Sequence, residues 1–216
     1  IGAYKTRASG DFNQASIWEV WNGSTWENTS QKPGSTQDIY IDQGHTLRLL
    51  GSESVKSIYL HAGTGAGQKL NLNNFNLDVY GVLAAFSGPA PGQPRGAWNS
   101  QNWIGNSPNS TLTFKGESRV IVDKASWSAQ TTQSRFGVIF DPGPGQELTL
   151  QAPFKALSFR LRSGTLYQKN DLSISSSPCF TLSFNTENSL YGSGAFGNFT
   201  VEAGATFRSA CNAQMV

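Results

Sequence analysis

Residues 40–48 read Tyr40-Ile41-Asp42-Gln43-Gly44-His45-Thr46-Leu47-Arg48, and residues 200–208 read Thr200-Val201-Glu202-Ala203-Gly204-Ala205-Thr206-Phe207-Arg208. The two stretches align without a gap, with an acid before the central glycine and Thr, an apolar residue and Arg after it. Apolar residues alternate on both sides of that glycine, which spells strand, tight turn, strand. A unit recurring near both ends of one chain predicts stacked strand-turn-strand layers. The expectation is an all-β fold: a single-stranded parallel β-helix, or solenoid.

A second pair of segments extends the pattern. Lys69 to Val79 (KLNLNNFNLDV) matches Gly164 to Ile174 (GTLYQKNDLSI), each alternating, broken by a polar pair, then alternating again. Upstream, Lys56-Ser-Ile-Tyr-Leu60 echoes Leu157-Ser-Phe-Arg-Leu161, and the first copy carries the longer connection His61 to Gln68. Length differences confined to connections suit stacked strands, because the strands alone bury the core. No segment shows a capped helical period.

Trp18, Trp21 and Trp26 crowd the first 35 residues, too close together for one core strand of period two. They suit a cap closing the first layer, with residues 1–35 as the cap and 36–216 as the stack. A sugar-stacking platform is the functional alternative. The chain stops about one strand after the final repeat, at Ser209 to Val216, with nothing resembling a second cap. That predicts either continuation beyond Val216 or other protein chains docking at an uncapped C-terminal end, against a short tail folded over it.

Charged residues make up only 14% of the 216, the formal net charge is +2, and Lys and Arg are scattered. Without a basic run, nucleic acid is not an expected partner. No run of about 20 apolar residues offers a membrane span. Cys179 and Cys211 are the two cysteines. They fall at similar points of successive layers, as a disulfide across the last strands or as two buried thiols.

A family likeness rests on Gly10-Asp-Phe-Asn-Gln-Ala-Ser-Ile-Trp18, Trp21-Asn-Gly-Ser-Thr-Trp26, the Lys32-Pro-Gly turn and Asp38-Ile-Tyr-Ile-Asp-Gln-Gly-His-Thr-Leu47. This opening resembles that of large secreted Bacteroidota cell-surface proteins with β-solenoid repeats. Phe12 stands where that family more often has Trp. The resemblance implies export, by the type IX route, to the cell surface or extracellular space. It also implies company that includes adhesins, gliding-motility filaments and carbohydrate-active enzymes. It identifies no catalytic residue.

The chemistry legible in the residues is sparse. His45 and His61 are the only histidines and neither has metal-ligand spacing, so no metal or cofactor is expected. His45 matches Ala205 in the repeat, which marks a surface turn position. Tyr191-Gly-Ser-Gly194 reads as a turn rather than a nucleophile elbow. A polysaccharide lyase or glycoside hydrolase would need acids and bases on one face. Asp78 with Asp171, Asp123 with Lys124, and Arg160 with Arg162 are the clustered charges, and ordinary outward polar positions explain them as well. Trp98 and Trp103, beside Asn99 and Asn102 in the aperiodic stretch 87–110, offer ring faces and amides to a glycan, or else pin that loop down. The expected role is a non-catalytic, secreted or cell-surface structural and adhesive module that contacts glycan. A lyase or glycosidase is the alternative.

Overall fold

The computed structural model describes residues 2–61, 69–91, 104–105, 109–116, 119–121, 136–150, 154–168, 182–184 and 199–210. Short strands follow one another with one 3-10 turn, Ala15–Ile17, among them. The first are β1 (Tyr4–Thr6), β2 (Gly10–Asp11), β3 (Trp18–Trp21), β4 (Trp26–Asn28), β5 (Asp38–Ile41), β6 (Leu47–Arg48) and β7 (Glu53–Val55). Next come β8 (Ser57–His61), β9 (Leu70–Asn71), β10 (Leu77–Val79), β11 (Val82–Phe86), β12 (Thr111–Lys115), β13 (Arg119–Ile121) and β14 (Gly137–Asp141). The last are β15 (Glu147–Leu150), β16 (Phe154–Ala156), β17 (Ser158–Leu161), β18 (Thr165–Gln168), β19 (Leu182–Phe184), β20 (Phe199–Val201) and β21 (Thr206–Ser209).

These strands form four separate sheets, which corrects the expected single-stranded parallel β-helix or solenoid. A ten-stranded sheet runs β21-β18-β15-β13-β11-β8-β5-β1-β3-β4, and a six-stranded sheet runs β20-β17-β14-β12-β10-β7. Two small sheets, β2-β6-β9 and β16-β19, complete the set. The largest sheet is mixed, because β3 runs antiparallel to both β1 and β4. The Trp-rich first 35 residues supply β1, β3 and β4, which continue the ten-stranded sheet past β5 to one of its edges.

The local part of the sequence argument holds, and its physical limit explains the rest. Gly44 and Gly204 both adopt positive φ (76° and 84°), each in a turn closed by a backbone bond, His45 N to Asp42 O and Ala205 N to Glu202 O. The arms of the two copies nevertheless join different sheets. β5 and β6 belong to the ten- and three-stranded sheets, whereas β20 and β21 belong to the six- and ten-stranded ones. The same shift separates β8 from β17 and β9 from β18. A strand-turn-strand pattern fixes a corner, not the sheet each arm will join.

One apolar core runs between the sheets. In-register parallel pairs such as Ile39 with Ile58, and Ile58 with Leu83, set like side chains side by side and leave them fully buried. On the six-stranded sheet, Phe114 pairs in register with Phe140, and Phe159, two residues out of register with Phe140, pairs with Val138. Their rings stack at 5.9 and 6.0 Å. Trp18 is wholly buried, edge-on to Tyr4 and Phe12, and its Nε1 donates to the Phe12 carbonyl at 3.0 Å. Of the three early tryptophans it is the one that serves the main core.

Candidate functional site

The outward positions of the ten-stranded sheet gather a second aromatic group, separate from the main core. Side chains alternate across a strand, so Ile39 and Ile41 point inward while Tyr40 points out. Pairing then brings outward residues into rows: Lys5 beside Glu19 and Tyr40, Tyr40 beside Tyr59, His61 beside Phe86, and Trp21 beside Trp26. Tyr40 and Tyr59 stack face to face at 4.5 Å, and Trp21 meets Trp26 edge-on at 5.2 Å. Trp26 lies 6.0 Å from Tyr40, joining the two pairs into one run of rings. Tyr40 and Phe86 are buried within this group, while Trp21, Trp26 and Tyr59 remain half-buried at its surface. The Trp26 Nε1 donates to the Pro89 carbonyl at 2.5 Å, which fixes that ring.

Charges border the rings in balanced pairs. The Lys5 ammonium sits 5.0 Å over the Trp26 ring, 3.4 Å from an Asp42 carboxylate oxygen and 3.7 Å from Glu19. The Asp42 amide is held by the Thr6 hydroxyl, and that hydroxyl lies 3.0 Å from His45 Nδ1. Burial holds the His61 imidazole below its ordinary range, with Asp42 opposing and Lys69 and Lys5 reinforcing the shift. His61 is therefore neutral at pH 7, edge-on to Phe86 at 5.1 Å. Lys69 is fully buried, and burial lowers its ammonium pKa against the opposing pull of Asp42.

The residues singled out from sequence fare unevenly. Trp98, Asn99, Asn102, Trp103, Cys179 and Cys211 lie outside the described residues, as do Asp123, Lys124 and Asp171. Asp78 is bound by Lys115 at 2.7 Å, which raises the lysine pKa through that hydrogen bond. Arg160 pairs with Glu202, and Arg162 lies 3.3 Å from Asp141. His45 is half-buried against Thr6 rather than merely solvated. Tyr40, Tyr59 and Phe86 were not singled out. Their signal was an aromatic at the outward position of an alternating strand, meaningful only once the pairing aligned several of them.

Among the described residues no group of three or more His, Cys, Asp or Glu side chains could hold a metal ion. None of the helices there is long and apolar enough to cross a membrane. No family model, curated protein or solved structure matches this chain.

Proposed function

We propose that this chain is a non-catalytic structural and adhesive module, exported to the cell surface or extracellular space, that contacts glycan through the aromatic face of its ten-stranded sheet. The supporting observation is the run Trp21, Trp26, Tyr40 and Tyr59 on paired strands, in which Trp21, Trp26 and Tyr59 are half-buried around the buried Tyr40. Flat rings match the apolar faces of pyranoses, and placement on strands rather than loops keeps them pre-organised. Export rests on the resemblance of the first 50 residues to secreted surface proteins and on the low charge content. The catalytic alternative is the weaker reading, because Lys115 already occupies the Asp78 carboxylate.

Affinity electrophoresis against a panel of soluble polysaccharides tests the proposal. The wild-type chain should be retarded by at least one polymer, and Trp21→Ala with Tyr59→Ala should weaken that retardation at least tenfold with the fold retained by circular dichroism. A folded double variant with undiminished retardation would remove the aromatic face from the function.

A further inference from the structure

We infer that the aromatic face selects neutral glycans over uronate-containing or sulfated ones. This rests on the glycan reading above and names the class of polymer that the same face would take. The argument is electrostatic. A polyanionic glycan needs uncompensated cations beside the stacking rings, since charge-assisted contacts supply both its affinity and its steering. The cation nearest the rings, Lys5, is flanked by Glu19 and Asp42 and lies over Trp26. Arg7, two residues along the same strand direction, donates to the neutral Asn28 side-chain oxygen at 2.5 Å. Lys56 lies 3.6 Å from Asp38.

Lys5, the cation over the Trp26 ring, is thus offset by both Glu19 and Asp42, and His61 adds no charge at neutral pH. A uronate docking on Trp26 would meet two carboxylates within 4 Å of the ammonium it needs. Displacing them costs the approaching anion its advantage. A neutral pyranose pays no such cost. Its hydroxyls can accept from the Lys5 ammonium or donate to the flanking carboxylates.

The experiment compares neutral polysaccharides (mixed-linkage β-glucan, xyloglucan, galactomannan) with acidic ones (polygalacturonate, alginate, chondroitin sulfate), at 20 and 500 mM NaCl. Retardation by a neutral polymer, changing less than twofold with salt and with acidic polymers inactive, is the expected result. The variant Glu19→Gln with Asp42→Asn should then gain at least fivefold retardation by an acidic polymer, lost again at 500 mM NaCl. Salt-sensitive retardation of the wild type by acidic polymers would overturn the selectivity and leave the glycan reading standing. Failure of every polymer to retard the wild type would overturn both. A folded double variant still indifferent to acidic polymers would show that compensation of Lys5 does not set the preference.

Discussion

A fully buried lysine carries a large desolvation cost. Lys69 precedes β9, and its depressed pKa arises from burial, with Asp42 as the opposing charge. The unfolded chain holds that ammonium protonated up to about pH 10.4, whereas the native state releases the proton at lower pH. The unfolded state therefore binds more protons between those two values. Stability should rise with pH across that window, and the full penalty applies below the native pKa. Lys69→Met removes the penalty, while Asp42 keeps Lys5 at 3.4 Å. Urea unfolding at pH 7 should show a gain of about 1 kcal/mol, a modest one because the attraction of Asp42 is lost together with the desolvation cost. The difference from wild type should shrink as pH approaches 10.5. A variant less stable than wild type at pH 7 would mean that the amine is held by compensating bonds stronger than its desolvation cost.

At the scale of the elements, the corners between sheets are where sequence is least free. Gly164 adopts φ 65°, and a Cβ there would lie 2.3 Å from the Gly143 carbonyl oxygen and 2.7 Å from that of Gln146. Both obstacles are backbone, in the connection between β14 and β15, and cannot rotate aside. Gly44 has a similar φ of 76° with nothing within 4 Å of such a Cβ. The two positions separate conformational strain from steric contact. Gly44→Ala should cost about 1–2 kcal/mol, the price of left-handed backbone alone. Gly164→Ala should cost at least ~2 kcal/mol more, as overpacking adds to that strain. Denaturant midpoints of the two variants check the ordering, and equal losses would show that β14 and β15 yield to the added methyl. The sequence placed Gly44 in its turn but missed the role of Gly164. Gly164 looked like the mere start of a repeat, while the contact that fixes it comes from a connection about twenty residues earlier.

Across the whole molecule, a single core cluster reaches from Tyr4 to Leu166 and includes side chains from both large sheets. Such continuity should make unfolding one cooperative event. Urea transitions followed by far-UV circular dichroism and by tryptophan emission should superimpose. Two separated midpoints would mean that the region around Trp18 comes apart from the rest. Local order was legible in the residues themselves. Alternation located strands on both sides of Gly44 and Gly204 and at residues 56–60 and 157–161, and the glycine after each acid located the turns at Gly44 and Gly204. These features depend on φ, ψ and side-chain sterics within a few residues, which neighbours in sequence dictate. Sheet membership was not legible, because a strand offers the same backbone donors and acceptors to any partner of suitable register. Only the folded chain decided that the arms of the two repeats join different sheets, that β3 and β4 run antiparallel, and that Trp26, Tyr40 and Tyr59 share one outward face. Those outcomes follow from hydrogen bonds and packing between residues far apart in the chain, where no local pattern carries the information.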